Sequence, residues 1–337
     1  MFITIQKAGL LTSIQDQGRI GYQHIGVTTG GAMDPLAARL ANLLVGNSEN
    51  ESVLEMTLIG PTIQFHMDTF IAICGAHLSP TLNTLPLPTG KLLFIRKGST
   101  LSFGKTQVGC RAYLAIAGGF QVSSVLGSKS THFPAQFGGV AGRACRDGDQ
   151  IKIGQWSEKQ RNMIQVYTRL ADSKSTYFRS YFITTPLPKE GSRPILIRII
   201  AGPQYQHFTE MSKQHLRRTP YRVNEQANRM GYRLDGASLS LSTPLEMLSE
   251  PVLFGTIQVP PSGQPILLAA DAQTVGGYPK IAQVASVDRS LLAQAKPGNW
   301  LQFQLVDVQE AQSLLRRQAL QYDIMKQALR MKWRQIV

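Results

Sequence analysis

Short apolar runs bounded by glycine and polar residues recur along most of the chain. In the first half they lie at 69–74, 91–95, 100–103, 111–117 and 150–153, and in the second half at 195–200, 221–223, 252–259, 265–270, 281–287 and 300–306. Runs of this length between turn residues are typical of β-strands. The pattern therefore predicts a mainly β chain with strands in both halves and only a few helices.

One segment of the first half has helical spacing instead. Asp34 can cap a helix, Pro35 suits its first turn and Gly46 suits its end. The apolar residues that mark its buried face are Leu36, Leu40, Leu43 and Leu44. Asn42 is expected to be less committed to the core, as either a functional side chain or a merely exposed one.

The second helical segment lies at the C-terminus. Residues 309–337 combine Leu and Met at helical spacing with many Lys and Arg residues. This pattern predicts a basic amphipathic helix. Either the helix docks by its apolar face and leaves its charges in solvent, or its charges bind phosphate groups or a membrane surface.

Three short matches occur in the same order in the two halves. The segments 19–22 and 229–232 share Arg-x-Gly-Tyr, 54–56 and 245–247 share Leu-Glu-Met, and 62–64 and 256–258 share Thr-Ile-Gln. Such an internal echo favours two domains of similar construction. The expected organisation is a first domain at 1–155, a linker or excursion at 156–194, a second domain at 195–308 and the helix at 309–337.

Composition narrows the possible partners. The net charge is +14, but the basic residues are dispersed along the 337-residue chain, so a nucleic-acid partner is not expected. The three widely spaced cysteines suggest neither a disulfide framework nor a metal site. Because we find no signal-peptide pattern and no long apolar span, the expectation is a cytoplasmic protein with no membrane partner.

Two polar segments concentrate groups that suit ligand binding. Residues 127–131 supply backbone N–H groups, the hydroxyls of Ser128, Ser130 and Thr131, and the cation of Lys129. This set suits a carboxylate or a phosphoryl group, although it is also compatible with a polar turn. The spacing is not that of a P-loop.

The second polar segment follows a predicted strand that ends at Asp271. It places the amide of Gln273, the hydroxyl of Thr274 and the ring of Tyr278 near two glycines at a strand end. A turn stabilised by Asp271 is the alternative. Asp271 and Lys129 are therefore the candidate catalytic residues. The candidate substrate-binding residues are Arg19, Asn42, Ser128, Ser130, Thr131, Arg229, Tyr232, Gln273, Thr274 and Tyr278.

The polar and glycine-rich segments together resemble one family. They lie at 12–19, 31–34, 127–131, 138–143, 202–204, 228–234 and 273–279. Through them the chain resembles the biotin-dependent carboxyltransferase-like family, which comprises the C subunit of 5-oxoprolinase, KipA, subunit 2 of allophanate-hydrolase-like pairs and the carboxyltransferase domain of urea carboxylase. The resemblance implies two tandem cyclophilin-like β-barrel domains with a ligand cleft between them.

Within this family the resemblance to the 5-oxoprolinase C subunits implies a part in the ATP-dependent cleavage of 5-oxoproline to L-glutamate, together with the A and B subunits. ATP is then a co-substrate of the complex. The alternatives are a biotin-dependent carboxyltransferase acting on a urea-like substrate, and a KipA-like module that binds a KipI-type kinase inhibitor. The chain has no Ala-Met-Lys-Met sequence, so no biotin is expected on it. No bound metal is expected either.

Overall fold

A computed structural model describes residues 1–170, 183–188 and 194–335. The chain divides into two compact units. Unit 1 takes its described residues from Met1–Gly18, Asp34–Leu187 and Tyr322–Val337, and unit 2 from Arg19–Met33 and Pro188–Gln321. Residues 19–33 therefore belong with the second half of the chain, a connection that the strand pattern alone does not reveal. Part of the predicted 156–194 excursion lies outside the described residues.

The described part of unit 1 contains strands β1 to β11. Their bounds are Phe2–Lys7, Leu11–Gln15, Val53–Thr57, Thr62–Phe65, Thr69–His77, Thr81–Leu82, Leu85–Pro86, Leu92–Ile95, Thr100–Ser102, Val108–Ile116 and Gln150–Lys152. They form a six-stranded sheet in the order β11-β1-β4-β9-β6-β7 and a five-stranded sheet in the order β2-β3-β10-β5-β8. Every strand pairing in the two sheets is antiparallel.

The two faces of the five-stranded sheet differ in chemistry because side chains alternate along a strand. Ile14, Leu54, Leu114 and Ile73 lie opposite one another on β2, β3, β10 and β5 and belong to the main apolar core. That core also includes apolar residues of the six-stranded sheet, so it joins the two sheets. The adjacent register row carries polar side chains and faces the other way.

Two helices of unit 1 cover parts of this framework. Helix α1, Pro35–Leu44, begins at Asp34, whose carboxylate accepts a hydrogen bond from the Ala37 N–H, as the sequence predicts. Helix α2, Glu158–Leu170, packs Tyr167 edge-on against Phe70, with 5.4 Å between the ring centroids. The expectation that Asn42 is less committed to the core is wrong, because this side chain is fully buried.

Unit 2 is built around a closed barrel. Strands β12 to β20 are Ile195–Ala201, Tyr221–Val223, Gly231–Asp235, Glu250–Pro251, Thr256–Gln258, Ile266–Leu268, Val275–Gly276, Lys280–Val284 and Trp300–Leu305. Seven of them close in the order β12-β19-β16-β17-β14-β13-β20, and β15 pairs with β18. Inward-facing residues such as Ile197, Ile257, Leu267 and Phe303 are at most 1% exposed. The predicted mainly β fold with a barrel is confirmed.

Three further α-helices lie in the described ranges. Helix α3, Glu210–Arg218, is capped by Thr209, and the short helix α4 spans Arg289–Ala293. Helix α5, Val308–Gln335, lies where the sequence predicts the C-terminal helix. Its first part belongs to unit 2 and its last part to unit 1. None of the helices in the described ranges is both long and apolar enough to cross a membrane.

The internal echo is only partly reproduced in the structure. Both Thr-Ile-Gln segments lie on strands, β4 and β16. The first Leu-Glu-Met segment lies on β3, whereas residues 245–247 are in irregular structure. Arg229 lies two residues before β14, and both Arg229 and Arg19 are in irregular structure. Short sequence matches therefore identify equivalent strands less reliably than strand pairing does.

Candidate functional site

Unit 2 contains a small cavity of about 210 Å³ at one end of the barrel strands. Its lining residues are Gln23, Thr28, Thr29, Gly30, Val252, Leu253, Phe254, Ala269, Ala270, Ala272, Gln273, Thr274 and Arg289. Two of the substrate-binding residues predicted from the sequence, Gln273 and Thr274, are among them. Pockets for drug-sized ligands run from about 300 to 1,000 Å³, so this cavity suits a small molecule.

Backbone hydrogen bonds fix the chain that follows β17 at this cavity. The N–H of Ala269 donates to the carbonyl of Met230 at 3.0 Å, and the N–H of Asp271 donates to the carbonyl of Arg229 at 2.8 Å. Further along, the N–H of Val252 donates to the carbonyl of Thr274 at 3.0 Å. The cavity wall is therefore held at several points along residues 269–274.

A buried ion pair lies directly behind this wall. Arg229 donates from Nε to Asp271 Oδ2 and from Nη2 to Asp271 Oδ1, each at 2.8 Å, and Nη2 also donates to the carbonyl of Gly31 at 2.7 Å. Asp271 is 2% exposed and Arg229 4% exposed. The pair thus connects the strand end to the loop 19–33, as a structural anchor would.

Arg19 lies close to the same carboxylate. A Cβ atom added to Gly30 would lie 3.6 Å from Asp271 Oδ1 and 3.9 Å from Arg19 Nη1. Arg19 is fully buried, and its N–H donates to the carbonyl of Thr29 at 2.7 Å. The structure therefore brings Arg19, Arg229 and Asp271 together beside the cavity-lining residue Gly30.

The cavity also contains a cation that the sequence analysis did not select. The guanidinium of Arg289 lies 4.2 Å from the centroid of the Phe254 ring, and both residues line the cavity. Arginine often stacks on aromatic rings in this way. Nothing in the sequence near Arg289 marks it, because its position depends on the packing of α4 against residues distant in the chain.

Two other predicted residues of unit 2 lie elsewhere. Tyr232 is 1% exposed in the barrel core, and its hydroxyl donates to the carbonyl of Leu292 at 3.4 Å. Tyr278 is 44% exposed and is not among the residues that line this cavity. Neither tyrosine therefore lines the cavity together with Gln273 and Thr274.

In unit 1 the polar segment 127–131 is folded around Asp16. The Asp16 carboxylate accepts hydrogen bonds from Ser128 Oγ at 2.6 Å, Ser130 Oγ at 2.5 Å, the Lys129 N–H at 2.6 Å and the Gly18 N–H at 2.8 Å. Ser128 and Ser130 are at most 1% exposed. These hydroxyls hold the segment in place, an arrangement that fits the polar-turn alternative for Ser128 and Ser130.

Thr131 and Lys129 have separate partners. The N–H and hydroxyl of Thr131 donate to the carbonyl of Ile14 at 2.9 and 3.0 Å. Lys129 Nζ lies 2.5 Å from Glu51 Oε1 and 3.2 Å from the carbonyl of Phe120. The Lys129 side chain, which carries the positive charge of the segment, is 30% exposed and is therefore accessible to solvent.

The remaining predicted residue, Asn42, belongs to a structural network. Its Nδ2 donates to the carbonyl of Glu51 at 2.6 Å, and its Oδ1 accepts a hydrogen bond from Asn47 Nδ2 at 3.1 Å. Asn47 Oδ1 in turn accepts from Gln160 of α2 at 2.9 Å. Asn42 therefore connects the C-terminal half of α1 to the loop that follows it.

The polar face of the five-stranded sheet contains a buried group that sequence analysis missed. Ser13, Glu55, Tyr113 and Cys74 lie opposite one another on four strands. The Tyr113 hydroxyl donates to Glu55 Oε2 and accepts from the Asp34 N–H, each at 2.8 Å. Burial, together with the negative charges of Glu55 and Asp34, raises the pKa of Tyr113 well above its usual value.

The three cysteines are buried within unit 1, and none of them forms a disulfide in the part of the chain that the structure describes. Burial raises the pKa of Cys74 to about 12, with a further contribution from Asp34, and burial also raises the pKa of Cys145 to about 12. Such thiols are poor nucleophiles at neutral pH. Within the described ranges no cluster of His, Cys, Asp and Glu side chains has the arrangement of a metal site.

Fold and site together define a mainly β protein with a closed seven-stranded barrel and a small polar cavity at its end. Residues 25–305 match the family described as carboxyltransferase domain, subdomain A and B. The chain belongs to this carboxyltransferase-domain family, as its sequence motifs indicate.

Relatives of two kinds are similar over most of this chain. The chain is 37% identical to the 5-oxoprolinase C subunit of Haemophilus influenzae, over 92% of this chain and 93% of the relative. It is 38% identical to the 5-oxoprolinase C subunit of Escherichia coli, over the same shares. The crystal structure of Kluyveromyces lactis urea carboxylase matches with a TM-score of 0.83 and 30% identity. That match covers 96% of this chain but only 29% of the urea carboxylase chain.

Proposed function

We propose that this chain is the C subunit of an ATP-dependent 5-oxoprolinase, which converts 5-oxoproline to L-glutamate together with the A and B subunits. The observation that supports this proposal best is the extent of the match. The chain aligns with 93% of each of the two 5-oxoprolinase C subunits, with 37–38% identity. With urea carboxylase it aligns with less than a third of the other chain.

The proposed reaction is the opening of a five-membered lactam. Water adds across the amide C–N bond, and the products are the side-chain carboxylate and the amino group of glutamate. Hydrolysis of ATP to ADP and phosphate supplies the free energy. Because the reaction consumes ATP, we propose that it takes place in the cytoplasm, and that the chain is inactive without its partner subunits.

The cavity in unit 2 is the proposed substrate site. A lactam offers one carbonyl acceptor and one N–H donor, and amide and hydroxyl side chains can pair with both. Gln273 and Thr274 provide such groups on one side of the cavity, and Thr28 and Thr29 provide hydroxyls from the loop 19–33. The cavity therefore contains the neutral polar groups that a lactam ring requires.

Reconstitution tests the proposal directly. The chain is co-expressed with the A and B subunits, the complex is isolated by size exclusion, and glutamate formation from 5-oxoproline is measured with and without ATP. The expected result is stable association with the B subunit and turnover that requires ATP and all three subunits. Glutamate formation that is unchanged when this chain is left out would overturn the proposal, as would elution of the chain apart from both partners at micromolar concentration.

The second candidate function is a carboxyltransferase that moves a carboxyl group from carboxybiotin to a urea-like substrate. The similarity to the fold of Kluyveromyces lactis urea carboxylase favours it. Because no biotin-acceptor sequence lies on this chain, this reaction needs a biotinylated partner protein. Carboxylation of urea by the chain and such a partner, with no cleavage of 5-oxoproline, would replace the first proposal by the second.

A further inference from the structure

Arg289 occupies a distinctive position in the unit 2 cavity. Among the lining residues, all of which lie in the described ranges, it is the one with a charged side chain. It is the first residue of α4 and is half-buried. A cation in a small cavity attracts an anionic group of the ligand, and a guanidinium matches a carboxylate with two parallel hydrogen bonds.

Contacts on both sides of Arg289 fix its place. Its guanidinium is 4.2 Å from the centroid of the Phe254 ring, which restricts the plane of the fork. The preceding residue, Asp288, is 2% exposed and accepts hydrogen bonds from the N–H and Nε of Arg198, at 2.7 and 2.9 Å. The turn that presents Arg289 is therefore anchored by a separate ion pair.

The cavity thus combines two kinds of recognition. Arg289 supplies a positive charge, whereas Gln273 and Thr274 supply neutral donors and acceptors. A ligand that matches both has a carboxylate next to an amide. 5-Oxoproline has this combination in one ring, whereas urea has an amide but no negative charge, so a cation contributes nothing specific to urea binding.

We propose that Arg289 recognises the substrate carboxylate and determines the specificity of this site for anionic over neutral lactams. This inference rests on the proposed function. Loss of one charged hydrogen-bonding partner in a partly desolvated site reduces binding by roughly 10- to 100-fold. The loss falls on ligands that carry the carboxylate and spares those that do not.

The test compares 5-oxoproline with its neutral amide, 5-oxoprolinamide, which keeps the ring and replaces the carboxylate. The binding of both to the reconstituted complex is measured by calorimetry for the unaltered chain and for Arg289→Ala, Arg289→Gln and Arg289→Lys. The unaltered chain is expected to prefer 5-oxoproline. In Arg289→Ala and Arg289→Gln the ratio of 5-oxoproline binding to 5-oxoprolinamide binding is expected to fall about 10- to 100-fold. Arg289→Lys is expected to keep part of the preference.

Arg222→Ala is the matched control, because Arg222 is an arginine of the same unit, 46% exposed, that lies 3.7 Å from Glu225. It should keep the full preference. Melting temperature and complex formation show whether each variant is folded. If Arg289→Ala is not folded, the comparison uses Arg289→Gln and Arg289→Lys. Equal binding of the two probes by the unaltered chain would overturn the inference, and so would an unchanged preference in folded Arg289 variants.

The two proposals fail in different ways. If the reconstituted complex forms no glutamate from 5-oxoproline, the proposed function is wrong, whatever the variants do. If it forms glutamate and the folded Arg289 variants retain both kcat/KM and the preference for the carboxylate, the function stands and the role of Arg289 is wrong.

Discussion

Arg229 binds both carboxylate oxygens of Asp271 through Nε and Nη2, at 2.8 Å each, in a part of unit 2 where both side chains are at least 96% buried. A carboxylate held in this way is a weak candidate for a general base, because proton abstraction would require it to leave a buried cation without its partner. The geometry therefore favours Asp271 as the anchor of the cavity wall, although the sequence suggests a catalytic residue.

Replacement of Asp271 tests this role through stability. Asp271→Ala leaves the Arg229 guanidinium buried without its counter-charge, and such a loss costs about 3–5 kcal/mol of unfolding free energy. The double variant Arg229→Met/Asp271→Leu removes both charges of the pair and should recover part of that loss, since the buried guanidinium of Arg19 stays beside the site. Urea unfolding of the single and double variants measures the difference. A single variant as stable as the unaltered chain would contradict the anchor role.

Asp16 should be equally important for unit 1. Asp16→Ala removes the acceptor for the hydroxyls of Ser128 and Ser130 and for the N–H of Lys129. Because several buried donors lose their partner, we expect a loss of about 3 kcal/mol or more. Asp235→Ala is the control, since Asp235 is exposed and should change stability by less than about 1 kcal/mol. Equal melting temperatures for the two variants would show that Asp16 does not hold the segment.

Lys129 remains the predicted catalytic or substrate-binding cation of unit 1. Its pairing with Glu51 is partly exposed, with side chains 30% and 24% accessible, so Lys129→Ala should change stability by at most about 1 kcal/mol. If Lys129 binds the ligand, losing that contact costs on the order of 2–4 kcal/mol of transition-state stabilisation. Turnover of 5-oxoproline by the reconstituted complex should then fall at least tenfold.

Glu51→Gln separates the two interpretations of Lys129. It weakens the ion pair but keeps the lysine, so it should be much less harmful to turnover than Lys129→Ala if the cation meets the ligand. If the two variants have the same effect, Lys129 acts only by fixing the segment. Lys97→Ala, at an exposed lysine of the same unit, controls for a general loss of positive charge.

The elements with local signals could be predicted from the sequence. Helix α1 follows from Asp34, Pro35 and the spacing of its leucines, and its observed N-cap is the predicted one. The strands follow from apolar runs between glycines, with observed bounds that differ by a few residues. The predicted strand at 252–259 is too long. The barrel strand occupies only Thr256–Gln258, because residues 252–254 before it line the cavity instead.

The candidate site was only partly predictable for a physical reason. Gln273 and Thr274 stand out because they follow an apolar strand. Arg289 and Tyr113 do not, because one is defined by stacking on Phe254 and the other by cross-strand register with Glu55. A polar residue on a helix suggests exposure to solvent, but Asn42 is fully buried and donates to the backbone carbonyl of Glu51. Long-range packing decides the positions of Arg289 and Tyr113, whereas contacts with the loop after α1 decide that of Asn42.

The last prediction concerns Glu49, which binds groups of α1 and α5 within unit 1. Its carboxylate accepts hydrogen bonds from Lys326 at 2.6 Å, from Arg39 at 2.8 Å and from the Tyr322 hydroxyl. Burial alone would raise the pKa of Glu49, but the hydrogen bonds from Lys326, Tyr322 and Arg39 outweigh it and lower the pKa to about 2. In an unfolded chain a glutamate has a pKa of about 4.3.

Because the pKa is lower in the folded state, ionised Glu49 stabilises the fold fully above about pH 4.3, and this contribution is lost as the pH falls toward 2. Glu49→Gln lacks this contribution to stability at every pH. The unaltered chain should therefore be more stable than Glu49→Gln at pH 7, and the difference should shrink between about pH 4 and pH 2. Urea unfolding at several pH values measures it, with Glu225→Gln as a control at an exposed glutamate whose nearest cation is 3.7 Å away. A difference between Glu49→Gln and the unaltered chain that stays constant down to pH 2 would show that the ionised carboxylate does not hold α5 against α1.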